Sequence, residues 1–435
     1  MNILVVTPFF KHDKNIASVR WTNIATRLAK KHNVIVVTQP HDDMDMKTEI
    51  FTDESGTLVA RINQKTSYEK FAVKYFGGAT GDDWQTSTNS SEETSVKTKE
   101  SLVRKLKNRV LFASMKSKAK SYARYIAKNV IPTDTKIDVV ISSACPFIEM
   151  MFGYELKKKL KCKWISDFRD LPFIKVESDD EKQMRAIMDK YLRIADAVVT
   201  IASRGKEYLV EEGLAPADKT HVITNGFSMA DAREPVFVDD KKLHIVHTGS
   251  LYGGTRKADL LFMAVQIARE KNPNFEYILQ CAGGNNETLV ETAKKYGEER
   301  NVNNYGFIPR DQALDLQARA DILLALSHKR PGTLAAKLFE YVLNKKPIVL
   351  VSCGEGENSD ETDFVRNINL GIATDDVNFE QDAYSLGDYL LRQFELKSNG
   401  YTLEYNPDLS MIAEYDHDNL VKKFENLFVK IQMKG

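Results

Sequence analysis

Four polar side chains, Thr333, Lys337, Glu340 and Asn344, interrupt an otherwise apolar run near the middle of the second half of this chain. Their offsets of i, i+4, i+7 and i+11 place them on one stripe of a helix. The stretch 327–352, SHKRPGTLAAKLFEYVLNKKPIVLVS, reads as a loop, a helix that starts at Thr333 as its N-cap and ends near Asn344, and a buried strand over 348–351. A mostly apolar helix with one narrow polar stripe turns that stripe toward a cleft. Helix amides together with Lys337 suit an anion such as a diphosphate, and the Glu340 carboxylate could accept hydrogen bonds from two ribose hydroxyls. The competing reading is an i, i+3 Lys337–Glu340 pair on an ordinary amphipathic surface.

Two further clusters could carry chemistry. The segment 248–257, TGSLYGGTRK, joins a strand to a helix. Its glycines permit close backbone approach, and Arg256 and Lys257 offer charge-assisted hydrogen bonds to phosphate oxygens. It is neither GxGxxG nor a P-loop. Asp167-Phe168-Arg169-Asp170 sets two carboxylates around an arginine past a buried strand, which suits sugar-hydroxyl binding or general-base work; a local Asp–Arg pair that shapes a loop is the plainer alternative. HExxH, GxSxG and paired-cysteine motifs are missing from the sequence, so zinc hydrolases and α/β-hydrolases are disfavoured, and no metal site is expected.

The elements that must position these residues alternate strand and helix along the chain. The spacing predicts strands at 3–7, 34–38, 58–62, 138–142, 163–166, 197–201 and 222–223, and then at 243–249, 277–282, 302–305, 322–325, 348–351 and 371–374. This rhythm implies parallel α/β sheets. Residues 77–100 lack an apolar period and read as a polar insertion. Over 101–130, Phe112, Met115, Ala119, Tyr122 and Ile126 recur at helical spacing. Residues 101–133 carry nine basic and no acidic side chains, either a solvated helix face or a contact for anionic lipid. Segment 229–242 reads as a linker between a domain of 1–228 and one of 243–410, and 411–435 as a closing helix.

At 435 residues the chain suits two domains. Its 61 basic and 61 acidic residues balance, which gives no nucleic-acid signature. Four scattered cysteines fit a reducing compartment. Without a signal peptide or an apolar run of the roughly 20 residues that span a bilayer, a cytoplasmic protein is expected, at most peripheral at the inner face of the membrane.

The sequence resembles the GT-B glycosyltransferases, family 4-like, of bacterial capsule, O-antigen and exopolysaccharide assembly. The resemblance runs through 17–20 (ASVR), 167–170 (DFRD), 195–200 (ADAVVT), 223–227 (ITNGF), 248–257, 302–309 (VNNYGFIP) and 332–347 with its KLFEY centre. It implies two Rossmann-like doubly wound domains that face each other across a cleft, with the closing helix crossing back to the first. It further implies transfer of a hexosyl or N-acetylhexosaminyl group from a nucleotide sugar to a glycan or polyprenyl-pyrophosphate-linked acceptor, with retention and without cofactor or metal. Donor contacts would come from Gly249, Tyr252, Gly253, Phe307, Ile308, Thr333, Leu334, Lys337 and Glu340. Ala17, Ser18, Arg20 and Asn225 would bind the acceptor, and Asp167, Asp170, Arg256 and Lys257 would serve catalysis. Gly332 stands where the family often has a glutamate. A GT-B nucleotide-sugar 2-epimerase and a non-catalytic GT-B scaffold are the alternatives.

Overall fold

Runs of Val, Ile and Leu bounded by polar turns form parallel strands buried on both faces, as such composition requires. The computed structural model describes residues 1–11, 17–39, 48–62, 102–144, 148–171, 179–251, 256–329, 332–354 and 359–433. The insertion read at 77–100, and with it Tyr252 and Gly253, lies outside them. The chain divides into two compact units, Met1–Ile223 with Val421–Gly435, and Thr224–Leu420.

In the first unit the strands are β1 (Asn2–Val6), β2 (Asn33–Thr38), β3 (Glu49–Thr52), β4 (Leu58–Arg61), β5 (Val139–Ala144), β6 (Lys163–Phe168), β7 (Ala197–Thr200) and β8 (Thr220–Val222). They lie in the order β3-β4-β2-β1-β5-β6-β7-β8, parallel except for β3, which runs antiparallel to β4. The sequence did not announce β3, a four-residue edge strand whose side chains are half-buried or exposed. Strand β6 runs two residues further than its apolar run indicates, so Asp167 lies within the sheet and not in a loop beyond it. The helices are α1 (Ser18–Leu28), α2 (Leu102–Asn129), α3 (Ile148–Leu160), α4 (Asp179–Ile194) and α5 (Ser203–Glu211). Helix α2 buries Phe112, Ala119, Tyr122 and Ile126, the face its spacing defines, and Tyr122 stacks on Phe152 of α3 at 4.2 Å.

The second unit holds β9 (Leu243–Thr248), β10 (Tyr277–Ala282), β11 (Val302–Asn304), β12 (Ile322–His328), β13 (Ile348–Cys353) and β14 (Gly371–Thr374) in the order β11-β10-β9-β12-β13-β14. Every neighbouring pair is parallel. This is the doubly wound 3-2-1-4-5-6 order, and it reverses between β9 and β12, where open α/β sheets bind ligands beyond their strand ends. The helices are α6 (Asp259–Lys271), α7 (Glu287–Lys295), α8 (Arg310–Ala318), α9 (Ala336–Leu343), α10 (Asp360–Asn367), α11 (Phe379–Ser398) and α12 (Leu409–Ala413). The stretch 229–242 is tied to this unit along its length: Asp231 pairs with Arg310, Val236 N–H donates to Ala318 O, and Lys397 Nζ donates to Lys242 O. Helix α13 (His417–Met433) starts in the second unit, and from Val421 onward it is part of the first.

Candidate active site

The polar stripe of α9 sits at the switch point of the second sheet, but it is built differently from its sequence reading. Helix α9 begins at Ala336, so Thr333 is not its N-cap. The true N-cap, Ala335, has no capping side chain; its N–H donates instead to Glu361 Oε1 at 2.9 Å, and the second carboxylate oxygen accepts from the Ser327 hydroxyl. Gly332, at φ +74°, turns the loop, and its N–H donates to Asp360 Oδ2 at 3.3 Å. Leu334 is buried, and its carbonyl accepts from Asn225 Nδ2 at 3.0 Å. Asn225, read as an acceptor contact, is therefore a buried tie for this loop.

A polar hub fixes α9 on the sheet. The Tyr341 hydroxyl accepts from Thr248 N–H at 2.9 Å and donates to Leu324 O at 3.2 Å, which links the helix to β9 and β12. Gln317 Nε2 donates to Thr248 Oγ1 at 2.8 Å and its Oε1 accepts from Asn344 Nδ2 at 3.1 Å. Asn344, the lowest member of the stripe, is thus buried against α8 and does not face a ligand.

Lys337 and Glu340 form no ion pair with each other. Glu340 is 6% exposed, and its Oε1 accepts from Arg310 Nη2 at 2.9 Å and Nε at 3.2 Å. Its Oε2 takes no hydrogen bond among the described residues. Arg310 in turn grips Asp231 through Nη1 and Nη2, at 3.1 and 3.0 Å. Burial alone would lower the Arg310 pKa, but Asp231 and Glu340 outweigh it and raise it. The surface-pair alternative is excluded by this geometry.

Lys337 lies against the end of β9. A Cβ on Gly249 would sit 3.7 Å from Lys337 Cδ and 3.1 Å from the His247 ring. The Lys337 ammonium makes no hydrogen bond or ion pair among the described residues. Its pKa is lowered, first by burial; Glu340 opposes the shift, and Arg310 and Arg256 add to it. The Arg256 Nη1 donates to Ser250 O at 2.9 Å, and Lys257 is exposed on the same loop. Arg256 and Arg310 therefore both act on Lys337 at the strand ends, and Arg310 is held by carboxylates. Gly283, at φ +138°, completes the close packing, since a Cβ there would meet Gly249 O at 2.0 Å. Phe307 is 69% exposed on the loop after β11, with Ile308 half-buried beside it and Arg310 two residues on.

His247, 3% exposed, completes this floor. Its Nδ1 lies 2.9 Å from Leu324 O and its Nε2 has no partner among the described residues. Burial, with the positive charges of Arg256 and Lys337 contributing, pushes its pKa down to about 4, so the ring is neutral at pH 7. Arg310, Asp231, His247 and Glu361 were all missed as site residues. Arg310 closes a strand-end loop and could have been found there. Glu361 acts through partners 26 and 34 residues away, which no local pattern carries.

In the first unit, Asp167 is fully buried and accepts from Arg20 Nη2 at 2.8 Å, Arg20 Nε at 3.3 Å and Trp21 Nε1 at 2.9 Å. The reading of Asp167 as a cleft-lining base and of Arg20 as an acceptor contact gives way to a buried ion pair that binds α1 to β6. Such a pair is costly to break, at about 3–5 kcal/mol once one partner is lost. Arg169 Nη1 donates to Ala17 O at 2.9 Å, so the 17–20 and 167–170 motifs do meet. Asp170 is exposed, Ala17 half-buried and Ser18 buried. Among the described residues no cluster of three metal-ligating side chains occurs.

Residues 242–375, the strand ends just described, match the family described as Glycosyl transferases group 1. No curated protein matches the chain in sequence. Solved structures share its fold over nearly full length. Sucrose-phosphate synthase from Thermosynechococcus elongatus is 12% identical, with 100% of both chains covered and a TM-score of 0.62. The E. coli trehalose-6-phosphate protein bound with UDP-2-fluoro glucose is 12% identical, with 98% of this chain and 99% of that one covered and a TM-score of 0.66. The lipopolysaccharide outer core galactosyltransferase WaaB is 15% identical, with 99% and 100% covered and a TM-score of 0.56. The two Rossmann-like units thus have the GT-B fold, and the match to the glycosyl transferases group 1 family lies within the second.

Proposed function

We propose that the protein is a retaining glycosyltransferase that moves a hexosyl or N-acetylhexosaminyl group from a nucleotide sugar to a glycan or lipid-linked acceptor in surface polysaccharide assembly, at the cytoplasmic face of the membrane. One observation carries this reading: a Lys337 ammonium with no hydrogen bond or ion pair among the described residues, depressed in pKa, beside Gly249, Arg256 and Arg310. Such a group gains most from an anion that replaces its lost hydration. A nucleoside diphosphate satisfies it, with the open Glu340 Oε2 left to accept from ribose and exposed Phe307 to flank the base. Ala17, Ser18 and Asp170 remain for the acceptor side.

In the reaction the bond from the anomeric carbon to the diphosphate oxygen breaks, and the acceptor oxygen forms its bond on the same face. The acceptor proton passes to the departing diphosphate, so no strong protein base is needed. Arg256, Lys337 and Lys257 stabilise the charge that develops on the leaving group, without a metal ion.

Thermal shift with UDP-, GDP- and ADP-sugars tests the reading, because a ligand specific to the folded state raises its stability. One of these donors is expected to bind, and Lys337→Met to weaken it about 10- to 100-fold, the value of a charged hydrogen bond. No shift with any donor, or undiminished affinity in Lys337→Met, overturns it. A new nucleotide sugar formed without acceptor would identify an epimerase instead.

A further inference from the structure

The first unit has a second charged feature, remote in sequence from the donor residues and independent of their assignment. On the exposed face of α2, Lys116, Lys120, Arg124 and Lys128 recur every four residues and form one stripe, about 18 Å long at 1.5 Å per residue. Between α2, α3 and α4 lies an open groove of about 460 Å³, lined by Lys116, Lys120, Lys158 and Lys190 around Tyr154 and Tyr191. The tyrosine rings stack at 4.2 Å and 7°, and Lys158 Nζ lies 5.3 Å from the centre of the Tyr154 ring. Glu155 is the one acid in its lining among the described residues.

Three other cations of α3 and α4 are paired. Lys157 bonds Asp196, Arg185 Nη1 lies 2.6 Å from Glu212, and Arg193 Nε lies 2.6 Å from Asp189. The four groove lysines have no ion-pair partner among the described residues. Like charges at i, i+4 oppose helix formation by about 0.2–0.5 kcal/mol per pair, so the stripe stands against its own repulsion. A stack of phosphates removes that repulsion.

We infer that this α2–α3–α4 face docks the protein on an anionic phospholipid bilayer, with lipid phosphates in the lysine groove. Charge complementarity and shape favour a lipid surface over nucleic acid. The lining is lysine, a point charge suited to phosphate, with no guanidinium fork, and its tyrosines are stacked on each other, one of them buried, and not offered for base stacking. Further toward the N-terminus of α2, Ala113 and the 46%-exposed Val110 continue the outer face with apolar groups that suit the headgroup boundary. No helix among the described residues is long and apolar enough to cross a membrane, so the attachment is peripheral. Each cation near an anionic surface contributes about 1 kcal/mol, screened by salt.

Co-sedimentation of the full chain with phosphatidylcholine vesicles, with and without phosphatidylglycerol to supply a negative surface potential, tests the inference. Binding is expected only to the anionic vesicles and to fall with added salt. The variant Lys116→Gln/Lys120→Gln/Lys158→Gln/Lys190→Gln should lose it at least tenfold with an unchanged melting temperature, and the corresponding four-arginine variant should keep it. The control Lys241→Gln/Lys294→Gln/Lys295→Gln/Lys345→Gln removes equal charge from the second unit and should bind within twofold of the wild type. Equal binding to neutral vesicles, equal losses in both glutamine variants, or tighter binding to single-stranded RNA than to anionic vesicles overturns the proposal.

Discussion

His247 shows how one side chain at the donor floor ties the site to stability. Its ring is held neutral because burial and the nearby cations Arg256 and Lys337 disfavour a further positive charge, with a pKa of about 4 against an unfolded value of 6.5. The folded-state value is depressed, so the stabilisation is complete above pH 6.5 and is lost as pH falls toward 4. The depression corresponds to roughly 3 kcal/mol over that window. His247→Phe removes the titration and keeps a flat ring; native-state hydrogen exchange of the second sheet at pH 7 and pH 4.5 should show a shallower acid loss in the variant. Equal losses in both proteins would show that the ring is not the titrating group. Among single residues, Lys337 and Glu340 stand out in the sequence against an apolar helix, and Arg256 beside a glycine-rich turn. The sequence misjudged Asp167, because its partner Arg20 is 147 positions away and an isolated acid after an apolar run looks like a loop residue.

At the scale of elements, α9 is positioned by a hydroxyl and not by its cap. Tyr341 counted as one apolar residue of the helix, yet its oxygen joins Thr248 N–H, Thr248 Oγ1 and Leu324 O in a fully buried hub. Burial pushes that phenol up to about 12, which keeps it a donor at any working pH. Tyr341→Phe strands a buried N–H and should cost about 1–3 kcal/mol, read as an equal drop in the opening free energy of β9 amides. Because Lys337 and Glu340 ride on the same helix, donor affinity should fall as well. A variant with weakened sheet protection and full donor affinity would separate the hub from the site. The strands were legible because apolar runs of four to seven residues with turn signals leave little else to be. Strand β3 was not, since its hairpin exposes both faces and leaves no apolar run. The start of α9 was not, since its first N–H is satisfied by Glu361 from another helix and Thr333 offers a plausible local cap that tertiary packing overrides.

At the scale of the whole molecule, the chain ends by giving its last helix to the unit it began with. From Val421 onward α13 buries Val421, Phe424, Leu427, Phe428 and Ile431. Phe424 lies 5.3 Å from the Trp21 ring and 5.7 Å beneath the Arg20 guanidinium, so the helix closes over the buried Arg20–Asp167 pair. Glu425, on the helix exterior, meets Lys31 at 3.1 Å and His32 at 3.2 Å, contacts worth little at an exposed rim. The five apolar side chains decide the outcome: at about 1.5 kcal/mol or more each, their loss approaches the whole stability of an ordinary domain. A chain ending at Leu420 should therefore lose the first unit's cooperative unfolding while the second sheet stays protected from hydrogen exchange. All three tryptophans, Trp21, Trp84 and Trp164, precede residue 224, so intrinsic emission reports on the first unit alone. The expected result is red-shifted tryptophan emission in the truncated protein at 25 °C and no further transition on heating. Native-like emission and an unchanged melting temperature would show that the first unit holds its fold without the returning helix.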